Sequence, residues 1–169
     1  MKNIFILIII FNLFPSNLRA EIAYIDISFI LNNSNVGKSL NIHINKIKNV
    51  NYTKYKDIED DLIKKEKTLI AQQNIIDKDD FENKLKLLAE EIKKYRGDKK
   101  KSEDILNKIK IDNTKKILNV LNPIITKYVE SNSISIVIPK KNIIVGKKKL
   151  DITNQIIKLL NDDIDRLNF

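Results

Sequence analysis

Apolar residues recur along the middle of this chain at steps of three and four. Leu40, Ile44, Ile47, Tyr55, Ile58, Leu62 and Leu69 form one stripe. Phe81, Leu85, Leu88, Ile92 and Tyr95 form a second, cleaner one. That spacing keeps each set on one side of an α-helix, in the seven-residue pattern of a coiled coil. It predicts a first helix from Lys38 to Gln72, a turn over 72–79, and a second helix that Asp77 can cap. Asp79, Asp80 and Glu82 then sit where the positive end of a helix favours acid. Asn51 and Lys65 fall on the first stripe and predict polar gaps. The polar run 97–102 interrupts the second stripe, which resumes at Leu106, Ile109, Ile117, Leu121, Ile125 and Tyr128. Pro123 lies inside that last stretch and should kink or split the helix. Two arms of this length, each ~50 to 75 Å long, make an antiparallel hairpin.

The pattern changes at both ends. Ile22 to Ile27 is β-branched and aromatic with a period of two, and reads as a strand. A short helical turn through Phe29–Leu31 follows, and Asn32–Gly37 is dense in turn formers. Ser133 to Ile138 alternates serine and isoleucine. A turn at Pro139–Asn142 and a partner strand at Ile143–Val145 complete a predicted β-hairpin. Asp151 or Thr153 can cap a last helix, with Ile152, Ile156, Ile157, Leu159, Leu160 and Ile164 on its apolar face. The expected fold class is α+β: a small β body of three short strands and short helices, bearing a long coiled-coil hairpin arm. The body takes residues 21–37 and 132–169, and the arm residues 38–131.

Residues 1–20 stand apart. Lys2 precedes an apolar run from Ile4 to Phe14, Pro15 and Ser16 break it, and Ala20 ends it. This is the layout of a signal peptide, with cleavage expected between Ala20 and Glu21. The run is too short to span a bilayer, which takes ~20 apolar residues. The chain is therefore expected to be exported. The chain has no cysteine, so disulfides cannot stabilise it, and oligomerisation is the expected substitute. Without Lys2 and Arg19 the 31 basic residues become 29 against 22 acidic, a net of +7 in place of +9. That excess favours an anionic lipid surface or acidic polypeptides as partners. Nucleic acid is not expected, since an exported chain rarely meets it.

Nothing in the sequence suggests catalysis. His43 is the single histidine, so a metal site would need carboxylates alone, and no metal or cofactor is expected. Asp60–Asp61, Asp79–Asp80 and Glu90–Glu91 are adjacent on helices and point in different directions. Ser133 and Ser135 have no base to activate them. The three glycines are scattered and build no phosphate loop. Tyr52, Tyr55, Tyr95 and Tyr128 fit seam packing better than base stacking.

The strand at Ile22–Ile27, the run Ile134–Ile138, and the segment Leu150-Asp-Ile-Thr with Ile156-Ile and Leu159-Leu-Asn161 carry a resemblance. With the charged hairpin between them and the leader in front, the chain resembles the Skp (OmpH-like) family of periplasmic chaperones. The resemblance implies a homotrimer, in which the short strands assemble into one trimerisation body and three hairpins hang from it as arms. It implies an ATP-independent holdase that keeps unfolded outer-membrane β-barrel proteins between those arms. Pairing strands between chains would remove exposed sheet edges and bury Ile25, Ile27, Ile134, Ile136 and Ile138. Lys93, Lys94, Arg96, Lys99, Lys100 and Lys101 are the client-contact candidates, from charge position on the second arm. The competing expectation is a structural coiled-coil envelope protein with no chaperone activity.

Overall fold

The structure, a computed structural model, describes residues 21–164. The expected leader, residues 1–20, lies outside the described residues, so the expected cut after Ala20 has no structural counterpart here. Strand β1 (Glu21–Ile25) leads into a short helix α1 (Ile27–Asn33). Helix α2 (Asn35–Gln72) and helix α3 (Lys78–Ser131) form the hairpin. Strand β2 (Ile134–Pro139) and helix α4 (Thr153–Asp163) close the chain, with two 3-10 turns between them.

The two strands pair in parallel, Ile22 with Ile136, Ala23 with Val137 and Tyr24 with Ile138. Parallel neighbours need a long crossover, and here the whole hairpin is that crossover. The predicted third strand does not form. Ile144 is fully exposed and Val145 nearly so, at 100% and 89%. Lys140–Asn142 turns as a 3-10 helix, and that redirects the chain before Ile143 can fold back on β2. The third β contact lies further on: Tyr24 bridges to Asp151, and the Ile152 N–H donates to the Tyr24 carbonyl at 3.0 Å.

The main core collects Ala23 and Ile25 from β1, Ile30 from α1, and Ile152, Ile156 and Leu160 from the chain end. Val36, Leu40, Ile117 and Leu121 join it from the bases of the long helices. That packing decides the fate of Pro123. A proline inside a helix costs about 3 kcal/mol. Ile117 and Leu121 are fully buried just before it, and Ile124 and Ile125 pack on the core just after. Each such side chain contributes about 1.5–3 kcal/mol. The anchors outweigh the lost hydrogen bond, and α3 runs unbroken from Lys78 to Ser131. It passes equally through 97–102, where the seam pattern fails.

The turn-rich run Asn32–Gly37 is another difference. It is a corner of one residue, Ser34, buried between α1 and α2. The Ser34 N–H donates to Ile30 O, and its hydroxyl accepts the Gly37 N–H at 3.2 Å. One serine ends one helix and starts the next. The corner is tight: a Cβ on Gly37 would lie 2.0 Å from the Leu31 carbonyl oxygen. The close approach therefore requires glycine.

Candidate functional site

The hairpin holds together through a second, separate core. Leu62 and Leu69 from α2 bury against Leu88 from α3, with Phe81, Ile92 and Tyr95 packed around them. At mid-arm the seam turns polar. The Tyr55 hydroxyl donates to the Asp98 carbonyl at 2.9 Å, and the Tyr95 hydroxyl donates to Glu59 at 3.1 Å. The two rings lie 6.1 Å apart and tilted. Lys99 donates to the Tyr95 hydroxyl at 3.2 Å, and that hydrogen bond raises its pKa above the ordinary lysine value. These tyrosines span the stretch where the aliphatic pattern lapses.

Lys65, the expected polar gap, is a cross-link. Its ammonium reaches Glu91 of α3 at 2.8 Å and Asp61 of its own helix at 3.2 Å. The bond to Glu91, and then the one to Asp61, raises its pKa.

Beside this seam, one face of the hairpin carries two hollows of about 380 and 330 Å³. Both are lined by Lys65 and Glu91, so they meet beneath that ion pair. The distal hollow has Leu69, Leu87 and Leu88 below Lys64 and Lys84. The proximal one has Tyr55, Ile58 and Leu62 beside Lys54 and Lys94. The opposite face bears a hollow of about 230 Å³ between Tyr52 and Leu106, bordered by Lys48, Lys56 and Lys99. There Lys56 is paired with Asp60 at 2.7 Å and Lys99 lies 4.0 Å from Glu59.

The basic residues singled out in the sequence do not form one patch. At about 100° per residue, Lys93, Lys100 and Arg96 turn toward one flank of α3, and Lys94 and Lys101 toward the other. Lys99 sits over the seam with Tyr95. Of the six, Lys94 lines the proximal hollow and Lys99 the one across the hairpin. Lys54, Lys64 and Lys84 escaped the sequence reading. For Lys54 a signal was present: with Asp61 and Thr68 it stands one place before a seam residue of α2. Leu87, Glu91 and Lys94 do the same on α3. One step back from a seam position is one flank of the helix.

In the body, Ile25 is buried in the chain's own core, and Ile27 and Ile134 pack against that core. Ile138 is half-buried, while Ile136 is 53% exposed. Ile22 and Phe29 are also exposed. Among the described residues no helix is long and apolar enough to cross a membrane. Among the same residues no group of three or more acidic, histidine or cysteine side chains could hold a metal ion.

The sequence pattern of the OmpH-like outer membrane protein family matches residues 21–160. No curated protein matches the chain at significance. A crystal structure from Caulobacter crescentus CB15, described as a candidate outer membrane chaperone (OmpH-like), has a similar fold. The two share 16% identity over 88% of each chain, with a TM-score of 0.77.

Proposed function

This chain belongs to the OmpH-like family of outer membrane proteins, and from that membership we propose that it is a periplasmic chaperone. In this reading it is an ATP-independent holdase. It binds unfolded outer-membrane β-barrel proteins between helical arms and keeps them from aggregating. The observation that carries the reading is the hairpin surface. Ile63, Ile70, Leu85, Leu87 and Ile105 are each 41% exposed or more along the two-helix arm. Such a surface offers diffuse apolar contact, which suits a client whose strands alternate apolar and polar residues.

The body supports self-association. Its two-stranded sheet is too small to stand alone, and Ile22, Ile136, Ile144 and Val145 leave apolar surface uncovered. Covering it with two further copies gives the homotrimer, with three arms around one cavity. Lys93, Lys94, Arg96 and Lys99 to Lys101 supply long-range attraction to acidic clients or anionic lipid, weakening with salt.

The test is mass by light scattering on the chain from Glu21 onward, with aggregation of an outer-membrane barrel diluted from urea, without ATP. A trimer that suppresses aggregation, more strongly at low salt, is expected. A monomer or dimer with no effect would leave the structural envelope role instead.

A further inference from the structure

We propose that the face carrying the two joined hollows is a docking groove for a short extended segment of alternating apolar and acidic residues. The proposal rests on the holdase reading and deepens it by assigning the contact to one side of the hairpin.

Three observations converge on that side. The first is its floor. Ile58 and Leu87 are 37% and 60% exposed beside the buried seam, so an apolar strip lies open to solvent. The second is its rim. Lys54, Lys64, Lys84 and Lys94 border the strip from both helices. None of these four lies within 4.0 Å of a carboxylate among the described residues. Of the three acids that line the groove, Asp61 and Glu91 are already engaged by Lys65, and Asp98 stands at its proximal end. The opposite face has less of this combination: Lys56 has its partner in Asp60 and Lys99 is held by Tyr95, which leaves Lys48 as the one lysine of that hollow with no carboxylate within 4.0 Å among the described residues. The third is length. Lys54 to Gln72 spans ~27 Å of helix, which matches about eight residues of extended chain at ~3.3 Å each.

An extended segment places alternate side chains on opposite sides. Apolar ones can lie on Ile58 and Leu87 while carboxylates between them reach the ammonium groups that no carboxylate pairs, of which that of Lys54 lies over the Tyr55 ring at 5.4 Å. A helical or uniformly basic segment satisfies one requirement and violates the other.

The probe is a labelled eight-residue peptide alternating valine and aspartate, titrated against the chain from Glu21 onward by fluorescence anisotropy. The control peptide alternates valine and lysine. Lys64→Glu with Lys84→Glu should weaken binding of the acidic peptide by about tenfold or more, from two reversed rim charges. Lys67→Glu with Lys86→Glu changes net charge equally on the far side and should weaken it by less than about threefold. Leu87→Ser should weaken it with unchanged helicity. Equal losses for the two double variants, or equal binding of both peptides, would overturn the groove. Should the reversed double variant lose helicity, Lys64→Gln with Lys84→Gln gives the same comparison. If these variants lose the peptide yet the unaltered protein does not suppress barrel aggregation, the groove stands and the holdase reading falls. If aggregation is suppressed but the acidic peptide is not preferred, the reverse holds.

Discussion

The Asp26 backbone N–H donates to the Thr153 hydroxyl at 2.9 Å, joining residues 127 apart in sequence. Thr153 passes the connection on, since its hydroxyl and its own N–H both donate to Asp151 Oδ1. Asp26 in turn accepts the Phe29 N–H and so starts α1. Lys140 lies 3.8 Å from Asp26 and 3.6 Å from Asp151. The two ends of the chain are thus clasped by one threonine between two aspartates. Thr153→Val keeps the shape and removes the hydroxyl. It should cost about 1–3 kcal/mol in urea unfolding, and Thr153→Ser should recover most of the loss.

Acid should loosen the same clasp. Burial pushes the Asp151 carboxyl up, but the hydrogen bonds from Thr153 and the nearby Lys140 outweigh it and leave the group below its ordinary value. A carboxyl depressed in the folded state adds stability above its unfolded pKa, near ~4. That stability is lost as pH falls through the lower, folded value. Asp151→Asn should therefore lower the melting temperature at pH 7. The gap between variant and parent should narrow below about pH 4, as followed by circular dichroism across pH 7 to 2.

Two glycines should respond to alanine with opposite signs. At Gly37 the new methyl would collide with the Leu31 carbonyl, forcing α1 off α2. At Gly97, inside α3, nothing lies within 4 Å of the new Cβ. Gly97→Ala should stabilise by about 0.5–1 kcal/mol, the ordinary helix penalty of glycine. Gly37→Ala should lower the melting temperature.

Tyr55→Phe removes the hydroxyl that reaches Asp98 and keeps the ring against Tyr95. The expected loss is about 0.5–1.5 kcal/mol. Amide exchange should quicken around 50–60 and 95–106 while the body at 21–40 keeps its protection.

Ile136 is half-exposed on β2 of the single chain, so a charge there is tolerable in an isolated copy. In an assembly that covers it, the same charge would be buried without a partner, at a cost of several kcal/mol. Ile136→Asp should lower the mass seen by light scattering and leave the helical signal of the monomer in place. Unchanged mass would remove Ile136 from the interface.

The arms were legible because their physics is local. Steps of three and four put Leu62, Leu69, Leu88, Ile92 and Tyr95 on facing stripes whatever the rest of the chain does, and they pack as that spacing requires. Turn propensity at Asn32–Gly37 was local too, yet it misled. Burial of Ser34 and contact between two helices let turn formers sit in helix. Ile143–Val145 has strand composition but follows a 3-10 turn, so no edge lies within its reach. The groove was hidden for a different reason. Its lysines are scattered from 54 to 94, and only the pairing of α2 with α3 brings them to one side.

The sequence by itself determined the two helical stripes, the strand-forming ends and the absence of disulfide chemistry, because periodicity, β-branching and composition act residue by residue. The tertiary structure alone decided that β1 and β2 run parallel, that Asp151 rather than Ile144 makes the third β contact, and that α3 survives Pro123. Each of those depends on which distant groups meet: Ile117 and Leu121 burying around a proline, or Thr153 finding an amide that leaves strand β1. Contacts across a hundred residues have no local signature, and the free energy that selects them exists only once the core has closed.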